Sequence, residues 1–158
     1  GTRAMGDITA IYSVLVAGSD MDEPIADMLR GVLDGHVVLD REIAERGRFP
    51  AVDLLRSVSR SLPACASPQE NALILQARRH LGVYSRAELM IQSGLYTAGS
   101  DPEIDLAIAC AGPLEEFLAQ RDVPSPSDAF ESLRRLLAAS GQSERRSAPK
   151  NGRRFNQN

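Results

Sequence analysis

The chain contains no tryptophan, only seven other aromatic residues and a single lysine, Lys150. With so few rings, its core has to be built from Leu, Ile, Val and Ala. Cys65 and Cys110 are far apart and His36 and His80 are the only histidines, a supply too thin and too scattered for a structural zinc site. Free or buried thiols in a reducing cytoplasm are expected instead. No apolar run reaches the length of a membrane span, and the first residues lack the charged-then-apolar order of a secretory signal. The lone lysine matters most. A phosphate-cradling loop needs a glycine-rich turn followed by lysine and a hydroxyl residue, and Lys150 lies in a polar tail without that context. An apolar strand leading to a magnesium-binding aspartate is also missing. Taken alone, the chain is expected neither to bind ATP tightly nor to hydrolyse it.

What is present divides by character. Residues 8–16 are nearly continuous in apolar and β-favouring types, as in a strand covered on both faces. An acidic loop at 18–23 comes next, in which Asp22 and Glu23, with Asp27 beyond, either meet a basic partner or are simply solvated. Pro24 suits the first turn of a helix reaching about 33, Gly35 ends it, and 37–39 form a short strand. Asp40 caps another helix, closed by Gly47. Strand and helix alternate here as at the edge of an α/β sheet. After Leu62 the pattern is helical. Ser67-Pro68-Gln69-Glu70 is a capping box opening a helix to about 81. Ser85 and Glu88 make a second box for a helix stopped by Gly94. A third helix runs from about 101 to 110, Gly112-Pro113 breaks it, and 114–120 form a fourth. The last is expected over 128–139. Residues 141–158 carry Arg145, Arg146, Lys150, Arg153 and Arg154 against Glu144 alone. With little to bury, they are expected to be disordered, a solubilising end before a lipid- or nucleic-acid-binding one.

The run from Phe49 to Arg60 combines unusual parts. Pro50 forces Phe49 out of the helical region, so its ring is presented from extended backbone. Ser57 and Ser59 are expected to bond nearby main chain and hold a tight turn, leaving Arg60 projecting from a fixed base as a cation that cannot be deprotonated. An aromatic platform close to a rigid guanidinium suits a nucleotide, the ring on the base and the cation on the phosphate. The plainer alternatives are Phe49 as a core filler, Arg60 as an exposed arginine capping a turn or pairing with a carboxylate, and Asp53 and Arg56 as a charge pair steadying the turn.

This run resembles the end of the nucleotide-binding domain in rotary-ATPase-like motors. Ile8-Thr9-Ala10-Ile11-Tyr12-Ser13, Asp22-Glu23-Pro24-Ile25 and Leu33-Asp34-Gly35-His36-Val37-Val38-Leu39-Asp40-Arg41 resemble the flagellar and type III secretion export ATPases. So does Ser93-Gly94-Leu95-Tyr96-Thr97-Ala98-Gly99-Ser100-Asp101-Pro102-Glu103-Ile104-Asp105, which is similar to the signature of their helical domain. The likeness runs from about residue 7 to 121, the last third of such a protein.

The resemblance implies the α/β edge of an incomplete RecA-like P-loop ATPase domain over 1–62, an all-α C-terminal helical bundle over 63–140, and a disordered basic tail over 141–158. It implies that Arg60 is an arginine finger reaching the γ-phosphate held by a neighbouring subunit. Phe49, with Pro50, falls where the family commonly places an adenine-packing tyrosine. Tyr96, Gly99, Asp101 and Asp105 are read as structural. The implied substrate is MgATP. The implied partners are further copies in a hexameric ring, a coiled-coil stalk, a regulatory subunit, the membrane export gate, and export substrates with their chaperones. Nucleic acid is not among them. The place is the cytoplasm, at the inner face of the inner membrane. The chain is expected to be a fragment of the ATPase, the flagellar branch preferred over virulence secretion. The alternative is a truncated paralogue, a non-catalytic module docking a stalk or chaperone. A rotary ATP synthase subunit is disfavoured by the wording of 33–41.

Overall fold

The computed structural model describes residues 6–16, 24–122 and 125–147, with side chains as far as 141. Its elements are α1 (Pro24–Val32), β1 (Gly35–Leu39), α2 (Arg41–Glu45), β2 (Val52–Ser59), α3 (Pro68–Gln92), α4 (Pro102–Leu118) and α5 (Pro126–Ser147). The acidic loop at 18–23, Pro124 and the tail from 148 lie outside the described residues.

The first part is a small α/β edge. β1 and β2 pair antiparallel, Gly35 opposite Ser59 and Leu39 opposite Val52. Glycine is required at 35 because a Cβ there would meet the Val58 carbonyl oxygen at 2.7 Å. Asp40 caps α2 as expected, its Oδ1 accepting from the amides of Glu42 (2.8 Å) and Ile43 (3.3 Å). Gly47, at φ +85°, closes it in the left-handed region open to glycine. The strand expected over 8–16 is not formed: residues 7–16 take no regular structure, with Ile11 95% and Leu15 97% exposed. A strand needs an edge to pair with, and among the described residues none is hydrogen-bonded to this segment.

The second part is a three-helix unit. Ser67 and Glu70 form the expected reciprocal capping box. The helix it opens does not stop at 81. Ala77, His80, Val83 and Ala87 carry one buried stripe through Gly82 and Ser85, and Glu88 is taken up by Arg46 rather than by a second box. The break at Gly112-Pro113 is likewise absent. Pro113 sits inside α4 and forfeits a helical hydrogen bond, roughly 3 kcal/mol in an unsupported helix. Ala107, Cys110 and Leu114, at most 1% exposed, hold the same face into the core across it. α5 starts at Pro126, with the Ser125 hydroxyl accepting from the Asp128 amide. It runs to Ser147, so residues 141–147 of the segment expected to be disordered are helical. Gln, Glu and Arg, which recur through this stretch, are good helix formers. Ala77, Cys110, Leu114, Leu133 and Leu137 make the core where α3, α4 and α5 meet.

Candidate functional site

β2 carries the singled-out residues, Phe49 and Pro50 just before it and Arg60 just after. Phe49 joins Pro50 through a cis peptide and is 51% exposed. The preceding residue, Arg48, has a side chain only 11% exposed. Its Nη2 donates to the Val52 carbonyl at 2.9 Å, and its Nε meets Glu115 Oε2 on α4 at 2.6 Å. The ring is thus offered to solvent from a loop tied down by a largely enclosed arginine.

Arg60 is fixed at both ends. Its amide donates to the Asp34 carbonyl at 2.8 Å. Its guanidinium donates to the carbonyls of Arg30 (3.0 Å) and Gly31 (3.2 Å) in the last turn of α1. Those carbonyls have no later amide to bond and form the negative end of the helix. The base differs from the expected hydroxyl-rich turn, since Ser57 and Ser59 lie within β2. Ser57 is buried; its hydroxyl donates to the Asp53 carbonyl at 2.5 Å and accepts from the Val38 amide at 2.9 Å. Phe49 and Arg60 are not brought together either, because they sit at opposite ends of β2.

Between those ends the ladder is irregular. Val38 pairs with Asp53 and His36 with Val58, so residues 54–57 bulge out of register. Asp53 Oδ1 accepts from the amides of Leu55 (2.9 Å) and Arg56 (3.1 Å), the local turn that aspartate favours. Arg56 reaches Asp40 at 3.1 Å and Asp53 at 3.9 Å. Both Asp53 and Arg56 therefore steady the turn by charge pairing. Sequence reasoning missed His36 and Arg78. His36 Nε2 lies 3.1 Å from the Arg56 carbonyl. Arg78, on α3, donates to the carbonyls of Leu54 (2.7 Å), Leu55 (3.1 Å) and Ser57 (3.4 Å). Neither spacing nor composition links a helix residue to a strand more than twenty positions away.

The segment from Tyr96 to Asp105 is a self-contained knot. The Tyr96 hydroxyl lies 2.8 Å from Asp105 Oδ1 and 2.9 Å from the Asp101 carbonyl, and Asp105 Oδ2 accepts from the Gly99 amide at 2.9 Å. Desolvation first, and then the Asp105 carboxylate, push the phenol above its ordinary value. At the start of α3, hydrogen bonds from Ser67 hold Glu70 below the usual carboxylate value. Asp27 pairs with Arg30 at 3.0 Å on α1. Among the described residues no three His, Cys, Asp or Glu are grouped to hold a metal ion, and no helix is long and apolar enough to cross a membrane.

Against this geometry the comparisons with known proteins are specific. Residues 1–59 match the ATP synthase alpha/beta family, nucleotide-binding domain, and residues 66–142 match the T3SS EscN ATPase C-terminal domain. A flagellum-specific ATP synthase of Caulobacter vibrioides is 47% identical over 139 residues, covering 87% of this chain and 31% of its own length. The assembled ATPase EscN of the enteropathogenic E. coli type III secretion system superposes with a TM-score of 0.79 at 37% identity, over 84% of this chain and 32% of that one. EscN in complex with its central stalk EscO gives 0.67 at 36% identity, over 72% and 29%. The chain spans about a third of the length of the curated relatives it matches. The short sheet corresponds to part of their nucleotide-binding domain and the three helices to their C-terminal domain. With both matched segments in this order, the chain belongs to the family of flagellar and type III secretion ATPases and carries that family's C-terminal region.

Proposed function

We propose that the chain is the C-terminal part of a protein-export ATPase, working in a homohexameric ring that couples ATP hydrolysis to secretion. Arg60 carries the reading. Two of its five N–H donors are held by the end of α1; the rest remain for a phosphate. A guanidinium so braced costs little ordering when charge builds on a transferring phosphoryl group, which is how an arginine finger accelerates hydrolysis. Phe49, half-exposed on its braced loop, packs on adenine through its apolar face and lacks the phenol oxygen of a tyrosine. Because the two lie at opposite ends of β2, they need not serve one nucleotide. This fits Phe49 on the base bound by its own subunit and Arg60 on the γ-phosphate bound by the next. MgATP is held by a P-loop from outside these residues. The division into a nucleotide-binding part to 62 and a helical part over 63–140 accords with the same reading.

The assembly of EscN and its complex with a stalk support a ring and a coiled-coil stalk as partners, with the regulatory subunit, export gate and cargo chaperones beyond them. The working place is the cytoplasmic face of the inner membrane, and the flagellar branch is preferred. In the intact ATPase, Arg60→Ala is expected to cut turnover by about 10³ or more while leaving nucleotide binding in place. Unchanged turnover overturns the finger. The isolated chain is expected to show no ATPase activity. The second reading, a non-catalytic docking module, is favoured by Leu75, Leu89 and Leu95, which stand exposed on the helical unit. It predicts stalk or chaperone binding that ignores nucleotide.

A further inference from the structure

Residues 54–57 leave the β ladder, so their carbonyls lose the strand partners that would satisfy them. Side chains replace those partners at every position. His36 faces the Arg56 carbonyl at 3.1 Å, and Arg78 alone serves Leu54, Leu55 and Ser57 at 2.7, 3.1 and 3.4 Å. The amides of Leu55 and Arg56 are held from within, by Asp53. Among these ties only Arg78 comes from the helical unit, near the middle of α3. Its planar fork spans carbonyls on both limbs of the bulge, which a point-charge ammonium cannot do. Arg60 begins three residues beyond Ser57, and its guanidinium is aimed from that strand end towards the last turn of α1.

We propose that Arg78 is a positioning residue for Arg60: by clamping the bulge, it sets the height and angle at which β2 delivers the finger. The proposal rests on the reading of Arg60 as that finger. Arg78 touches no substrate and acts only through β2. A small displacement of a group that meets a transition state is enough to lower the chemical rate without weakening ground-state binding.

The test is a steady-state kinetic cycle in the intact ATPase, with Arg78→Met and Arg78→Lys each made alone and with Arg60→Ala. Arg78→Met is expected to lower kcat roughly ten- to a hundredfold at unchanged KM for ATP. Arg78→Lys, keeping the charge but not the fork, should fall between Met and the native protein. On the Arg60→Ala background, Arg78→Met should change the residual rate less than about twofold, because residues acting as one unit are not additive. Hydrogen exchange at the amides of 54–60 should quicken in Arg78→Met while α4 and α5 stay protected. A native kcat in Arg78→Met overturns the proposal, and so does an equal fall with and without Arg60, which would make Arg78 a support of the fold alone. Should Arg78→Met fail to assemble, Arg78→Lys carries the same cycle. If Arg60→Ala itself leaves turnover intact, the finger reading falls instead; a rate that needs Arg60 but ignores Arg78 removes only the positioning role.

Discussion

The two halves of this molecule are held together by different forces. From Pro68 onward, three helices share a core of Ala77, Cys110, Leu114, Leu133 and Leu137, flanked by Leu73, Leu81, Leu106, Phe117 and Leu136. Between Pro24 and Arg60 the buried residues are few: Ala26, Val38 and the hydroxyl-bearing Ser57. Caps, a knotted bulge and arginine-to-carbonyl bonds do most of the holding there. Ile25, Met28, Val32, Val37 and Leu39 meanwhile stand exposed on its helix and strand. Apolar burial is the dominant favourable force in folding, so the helical unit has what it needs within these residues. The edge keeps its apolar faces uncovered and owes its shape to polar geometry. The junction is polar as well: Arg48–Glu115, Arg46–Glu88 and the Arg78 fork tie the edge to α3 and α4.

The sharpest way to break that contrast is to attack the core. Leu114→Ala removes a side chain 1% exposed and should cost about 2–5 kcal/mol. Thermal unfolding monitored by circular dichroism should show the whole helical unit melting earlier; a loss under about 1 kcal/mol would mean the core is looser than its burial implies. The counterpart in the edge is Gly35→Ala. The new Cβ would lie 2.7 Å from a backbone oxygen, so the strands must separate locally, at about 1–3 kcal/mol. Amides of β1 and β2 should lose protection from hydrogen exchange while the melting of α3–α5 stays put. If both halves soften together, they are one cooperative unit and the contrast fails. Smaller is the loss of a cap: Ser67→Ala should cost about 1 kcal/mol.

The smallest effect is a pH dependence. Glu70 titrates below its ordinary value in the folded chain because Ser67 bonds its ionised form. Its contribution is therefore complete above the unfolded value of about 4.3 and is lost as pH falls through the lower folded one. Melting temperature plotted against pH should fall more steeply for the native chain than for Glu70→Gln across that window. Parallel curves would show that the capping carboxylate adds nothing. Glu131, also lowered, by Arg134 and Arg135, is common to both curves.

Much of this was legible in the linear chain because it depends on neighbours. Asp40, Ser67 and Asp101 announce helix starts, and the structure has each accepting from amides two or three residues on. The knot of Tyr96, Gly99, Asp101 and Asp105 closes within ten positions. The family words around 33–41 and 93–105 were readable for the same reason, as were the positions of Phe49 and Arg60. Local rules misled where burial outweighed them. Ser85 with Glu88 has the form of a cap, and Gly112-Pro113 the form of a break. Yet α3 and α4 run on through them, since stopping there would give up the burial of Val83, Ala87 or Leu114. The strand expected over 8–16 has the right residues and no partner among those described.

The sequence by itself determined the helix caps, the apolar stripes, the family likeness and the two candidate site residues, all carried by short-range chemistry. Only the tertiary structure decided that Phe49 and Arg60 stand at opposite ends of one strand and that the last turn of α1 braces Arg60. It alone showed that Arg78, a helix residue twenty-one positions beyond Ser57, bonds the carbonyls of the bulge between them. Carbonyls released from a ladder must find donors wherever the fold brings them, and that choice is made in space rather than along the chain.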